Sequence, residues 1–147
     1  MGDIDPRQHS AEHILTAVFG QLFHGKIIDS RFKGPKVRCD FELDGEIPLE
    51  ENIEKAEKRA NSIISEGREV AFEEVSSEEA KRLCSLHRLP AGIEKVRIVR
   101  IGNDVITPCR GQHVKNTKEI GVLKIRTSNF ISPGILRLTF GLEEFTL

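Results

Sequence analysis

The chain has 147 residues, 38% of them hydrophobic and 31% charged, with 22 Lys and Arg against 23 Asp and Glu. That size and balance fit one globular domain with a real core and exclude an overall basic field for nucleic acid, so such binding would rest on a local patch. No apolar run approaches the roughly 20 residues of a membrane span, the first ten residues carry no signal core, and three cysteines suit a reducing cytoplasm rather than a disulfide framework.

Asp5 is placed to cap a helix, Pro6 suits its first position, and Gln8 completes a capping-box pattern. Ile14, Leu15, Val18, Phe19, Leu22 and Phe23 then recur at helical spacing, and Gly25 offers a stop. "KIIDSRF", a "KGP" turn and "KVRCDFEL" read as a hairpin, in which Val37, Cys39, Phe41 and Leu43 alternate as in a half-buried strand. From Pro48 to about Glu66 a second helix carries Ile53, Ala56, Ala60, Ile63 and Ile64 on one face. "REVAFEEV" is a short strand. Ser76 and Glu79 form a capping box before a third helix with Ala80, Leu83, Cys84 and His87 on its apolar stripe, ending at "LPAG". "KVRIVRIG", "DVITPC", "IGVLKIRT" and "ILRLTFGL" are further strands. The expected fold is α+β, a largely antiparallel sheet packed with helices, with residues 1–147 as a single domain.

His9 and His13 lie one turn apart on the first helix, about 120° from its apolar stripe and beside the small residues Thr16, Ala17 and Gly20. "CRGQH" repeats the spacing with Cys109 and His113, in a glycine-containing loop after a strand. Together H-x3-H and C-x3-H supply four nitrogen and sulfur donors, the set for one tetrahedral Zn2+. The plainer reading has solvated or hydrogen-bonded histidines, and a Cys109–His113 turn that never meets the helix. Cys84 and His87 read as core, Cys39 as a buried strand residue, and His24 as a helix-end residue. "HSAEH" also matches the H-x-x-E-H pattern in which Glu12 would be a general base, but such proteases need a further carboxylate ligand and a larger body.

Around the four donors, Ser10 and Thr16 are small hydroxyl-bearing candidates for substrate binding. Gln112 and the backbone N–H groups near Gly111 could recognise substrate or an oxyanion. Two basic clusters are candidates for phosphate contact: Arg31, Lys33, Lys36 and Arg38 around the hairpin turn, and Lys115, Lys118, Lys124 and Arg126 further on. The absence of Trp and Tyr argues against broad base stacking.

"HSAEHIL", "VRCDFEL", "CRGQHVKNTKEIG" and "SPGILRLTFGL", in that order, resemble the AlaX family, relatives of the editing domain of alanyl-tRNA synthetase. The threonyl-tRNA synthetase editing domain is a more distant cousin. The resemblance covers roughly Asp5 to Leu142. It implies the editing-domain fold and an aminoacyl-tRNA deacylase acting in trans on mischarged alanine tRNA, removing serine chiefly, with glycine a second candidate. It also places His9, His13, Cys109 and His113 on the family's zinc positions. A start so near the histidine helix matches the short form. Two departures touch substrate contacts. Arg110, Gly111 and Gln112 stand where Gly-Gly-Thr is common, which leans toward the metal-free threonyl type, and Ser132 to Leu136 replace a glycine- and lysine-rich segment. "NTKEIG" favours the alanyl side. The alternatives are a threonyl-type deacylase without bound metal and a non-catalytic, zinc-stabilised RNA-binding module.

Overall fold

The first helix starts where the Asp5 carboxylate accepts the Arg7 N–H at 2.8 Å, with Pro6 in the first turn. In the computed structural model, which describes residues 4–83 and 94–144, this helix, α1, spans Pro6–Phe23. Gln8 does not close a capping box; its side-chain amide donates to the Gly34 carbonyl at 2.7 Å and holds the hairpin turn over the helix start. At the other end the left-handed residue is His24 (φ 54°), one place before the glycine expected to stop the helix. Gly25 packs closely on Leu43: a Cβ there would stand 2.7 Å from Leu43 Cδ2, and the leucine would have to shift. Ile14, Leu15, Val18 and Phe19 are fully buried, and Phe19 stacks on Phe41 at 4.4 Å between centroids. Leu22, expected on the same apolar face, is exposed.

β1 (Lys26–Lys33) and β2 (Lys36–Glu42) form the expected hairpin. β6 (Val122–Ser132) and β7 (Ile135–Glu143) form a second one, and the four strands make an antiparallel sheet in the order β1-β2-β7-β6. Opposite partners Val37 and Phe140, Cys39 and Leu138, and Phe41 and Leu136 are all fully buried, so one face of this sheet is the main core wall. α2 (Leu49–Ser65) turns Ala56, Ala60, Ile63 and Ile64 inward as its spacing predicts. Its polar residues also satisfy an edge. Asn61 exchanges two 2.8 Å hydrogen bonds with the Leu123 backbone, and Glu57 accepts the Ile125 N–H at 2.8 Å.

The remaining strands, β3 (Val70–Ser76), β4 (Lys95–Ile101) and β5 (Val105–Pro108), form a separate antiparallel sheet in the order β3-β4-β5. α3 (Ser77–Leu83) begins with Ser76 Oγ accepting the Glu79 N–H at 3.1 Å, half of the predicted box. Cys84, His87 and the "LPAG" helix end lie outside the described residues. The fold class is therefore as read from the pattern, with two sheets in place of one. No helix among the described residues is long and apolar enough to cross a membrane.

The segment 116–120 locks the loop after Cys109 to the end of α2. Thr117, fully buried, donates its hydroxyl to the Ile64 carbonyl at 2.9 Å and accepts the Arg68 N–H at 2.9 Å. Asn116 donates to the Gly67 carbonyl at 2.9 Å, while the Glu119 carboxylate takes the backbone N–H groups of Lys115 and Asn116. Thr117→Val should leave the Arg68 N–H without its acceptor and destabilise the fold by about 1–3 kcal/mol. The check is urea unfolding, with a lowered midpoint and an unchanged slope expected.

Candidate functional site

The histidine helix and the "CRGQH" loop meet. The His9 and His113 rings are 4.4 Å apart between centroids, and each is 4.9 Å from His13. Cys109 Sγ stands 3.3 Å from His9 Nε2. One donor atom from each of the four residues lies within 4.8 Å of all the others, close enough to share one metal ion. Cys109 reaches this point because its N–H bonds the Arg97 carbonyl at 3.1 Å, carrying the β4–β5 pairing one residue past Pro108.

Ser10 is the joint. Its hydroxyl donates to the Pro6 carbonyl at 2.8 Å and accepts the Val114 N–H at 3.1 Å. His113 Nδ1 is 3.3 Å away. Since the Ser10 proton is already directed to Pro6, Nδ1 of His113 is the donor in that contact, which leaves its Nε2 as the atom with a lone pair. That Nε2 is buried and has no hydrogen-bond partner among the described residues. Burial, then the neighbouring His13 and His9, then Arg97, hold the His113 pKa at about 3, against an ordinary 6.5. A neutral imidazole with a buried lone pair beside a thiol and two further imidazoles fits a divalent metal.

Gly111 lies against His9. A Cβ at residue 111 would fall 2.2 Å from His9 Cε1, so only glycine lets the loop close over that ring. Its N–H reaches Cys109 Sγ at 3.4 Å and its carbonyl accepts from Arg97 Nη1 at 2.9 Å. Arg97 also lies over the Phe72 ring, 4.0 Å from the centroid, and that ring is 5.9 Å from His113. Neither Arg97 nor Phe72 stood out in the sequence, where they look like ordinary members of two strands.

Beside the four donors opens a cavity of about 650 Å³. Its walls are α1 (His9, Glu12, His13, Thr16, Ala17), β1 (Ile27, Ser30, Phe32) and the whole of β5. The small-residue sector of α1 is thus the cavity floor, except Gly20. Ile27, Ser30 and Phe32 reach one face of β1 because the register shifts between Ile27 and Asp29, a bulge that no residue pattern announced. Glu12 is buried in the wall. Its Oε1 accepts from Thr16 Oγ1 at 3.3 Å and Ser30 Oγ at 3.2 Å, and its Oε2 is 3.4 Å from His13 Nδ1. At the far end Asp104 accepts from Gln21 at 3.0 Å, from Arg59 at 2.9 Å and from Arg68, whose hydrogen bond holds its carboxyl below the usual carboxylate range.

Of the other expected site residues, Thr16 lines the cavity, whereas Ser10, Gly111 and Gln112 do not. Ser10 and Gly111 instead shape the loop, and Gln112 is exposed. Lys115, Lys118, Lys124 and Arg126 also stand away from the cavity, and Arg126 pairs with Glu143 at 3.0 Å. The cations at the cavity are Lys26 and Arg110. In the hairpin cluster Arg31 and Arg38 both reach Asp29, two residues before Arg31, at 3.2 and 3.4 Å.

Residues 96–139 match the family described as the threonyl and alanyl tRNA synthetase second additional domain, a span that holds Cys109 and His113. The chain is 33% identical over 138 residues to the alanyl-tRNA editing protein AlaX-L of Pyrococcus horikoshii, covering 91% of this chain and 33% of that protein. It is 32% identical to an alanine–tRNA ligase of Levilactobacillus brevis and 31% identical to that of Archaeoglobus fulgidus, covering 90% and 94% of this chain. The chain thus spans a third of AlaX-L and only 15% and 16% of the two ligases.

Because His113 has a lower pKa folded than unfolded, the unfolded chain binds more protons between about pH 6.5 and 3. The metal-free protein should lose stability as pH falls through that window, and His113→Asn should flatten the dependence. Urea midpoints of both proteins at pH 7.5 and 5 check it; equal midpoints for the native chain at the two pH values would contradict it.

Proposed function

As the chain belongs to the AlaX-type editing family, we propose that it is a trans-editing aminoacyl-tRNA deacylase. Its substrate in this reading is mischarged alanine tRNA bearing serine, with glycine a second candidate, met in the cytoplasm. The observation that carries the reading is the convergence of His9, His13, Cys109 and His113 beside an open cavity. Those four side chains would hold one Zn2+, which when bound supplies Lewis acidity toward the ester carbonyl. In the reaction a water oxygen bonds to the carbonyl carbon, the ester C–O bond breaks, and the terminal ribose oxygen leaves with a proton.

The chain's own groups suit that substrate. Thr16 and Ser30 both point their hydroxyl protons at Glu12, so each turns oxygen lone pairs toward the cavity. They would accept hydrogen bonds from an α-ammonium or a serine hydroxyl. The rest of the wall, from Ala17, Ile27 and Val105 to Pro108, is largely apolar and would strengthen every polar contact made beside it. Lys26 and Arg110 are placed to meet the terminal phosphates, and Lys115, Lys118, Lys124 and Arg126 would contact phosphates further along the tRNA. Gln112, exposed on the loop, and the Gly111 backbone stay candidates for contact with the aminoacyl end. Arg110-Gly111-Gln112 favours one second reading, a threonyl-type deacylase that works without metal.

Deacylation of seryl-alanine tRNA, alanyl-alanine tRNA and seryl-threonine tRNA, run beside metal analysis, separates the readings. The proposal expects one zinc per chain and clearance of the first substrate over the other two. His9→Ala or His113→Ala should reduce the rate on the order of 100-fold or more while the fold persists, since removing a ligand exceeds the loss of an outer partner. Activity on seryl-threonine tRNA without zinc would instead select the threonyl type. Gly111→Ala should push the His9 ring out of the cluster and weaken zinc binding about tenfold or more, measured by chelator competition.

A further inference from the structure

Glu12 is a carboxylate in a place where a carboxylate is costly. It is 2% exposed, sits on the buried side of α1, and has Nδ1 of His13, itself 7% exposed, 3.4 Å from one oxygen. It also accepts from two neutral hydroxyls, Thr16 on the next turn and Ser30 across on β1. A leucine at this point would continue the apolar packing of Ala11, Ile14 and Leu15 at no desolvation cost. The arrangement explains itself once the neighbour of Glu12 is regarded as a ligand. Oε2 stands 3.4 Å from His13 Nδ1, so the carboxylate favours the proton on that nitrogen and leaves Nε2 to the cluster. Ser10 does the same for His113 through a neutral hydroxyl. The charge also balances: three neutral imidazoles and one thiolate around a dication leave one net positive charge, and Glu12 supplies one negative charge beside it.

We propose that Glu12 is the positioning residue of the metal centre: it sets the tautomer and orientation of His13, offsets the charge of the loaded site, and ties that ligand to the β1 wall through Ser30. This inference rests on the reading of His9, His13, Cys109 and His113 as a zinc site. The H-x-x-E-H pattern offered Glu12 as the general base of a protease, a reading set aside for want of a further carboxylate ligand; the part proposed for it here is a different one. The oxygens of Glu12 are taken up by His13, Thr16 and Ser30, which is the pattern of a group that holds others in place.

The test uses the full chain and the variants Glu12→Gln and Glu12→Ala. In the metal-free proteins, histidine side-chain 1H–15N correlations should show His13 as the Nδ1–H tautomer in the native chain and in Glu12→Gln, whose amide oxygen still accepts. They should show that preference lost in Glu12→Ala. Zn2+ affinity by chelator competition should fall about 10-fold in Glu12→Gln, which loses the charge, and about 100-fold in Glu12→Ala, which loses both. Circular dichroism and urea unfolding monitor the fold, and if Glu12→Ala does not fold, Glu12→Gln decides. A folded Glu12→Gln that binds Zn2+ as tightly as the native chain overturns the inference and leaves the zinc-site reading standing. A native chain that binds no Zn2+ overturns both.

Discussion

One hydroxyl holds the site together. Ser10, buried one residue after the first histidine, receives the Val114 N–H and contacts His113 Nδ1 while donating to the turn behind it. Residues more than a hundred positions apart are joined there, and the four donors converge only because they are. The rest of the loop is built to keep that joint closed. Arg97 holds the Gly111 carbonyl, Gly111 gives way to His9, and the 116–119 turn anchors the outgoing chain on the end of α2. A buried hydroxyl with its partners satisfied is worth about 1 kcal/mol net, so the convergence depends on several such bonds acting in concert.

Electrostatics follow from the same closure. Sealing three imidazoles against one another and against Phe72 and Arg97 makes a charged form of His113 unfavourable, which keeps the ring in the state a metal requires. On the thiol side of the cluster the Gly111 backbone N–H donates to Cys109 Sγ. Opposite, Asp104 keeps its charge by gathering Arg59, Arg68 and Gln21. The cavity therefore lies between a cluster poised to take a cation and a carboxylate whose partners already answer it.

The elements were largely legible in the sequence, because their signals are local. Helical spacing from Ile14 to Phe19, alternation from Val37 to Leu43 and the Ser76 cap are each decided within a few residues, and each has its counterpart in the fold. The four donors were legible for another reason: two short spacings of rare, chemically compatible residue types carry more information than a pattern of apolar ones. What escaped was set by distant contact. Gln8 turned from its expected cap to the hairpin, Ser10 and Gly111 took part in shaping the loop, and the β1 bulge brought Ser30 into the wall. Arg97 and Phe72 became site neighbours only through strand pairing that brings two separate segments side by side.

The cavity is flanked by the outer strands of two different sheets, β1 of one and β5 of the other. No ladder is shared between them, so the gap is set by what props each strand: the floor of α1, the Ser30–Glu12 contact on one side and the Asp104 clamp on the other. A side-chain change at the Asp104 clamp would alter the width of the opening without touching the four donors, whereas one at Glu12 would reach His13 as well. The width of the opening is thus tied to the donor cluster on the β1 side and can drift independently of it on the β5 side.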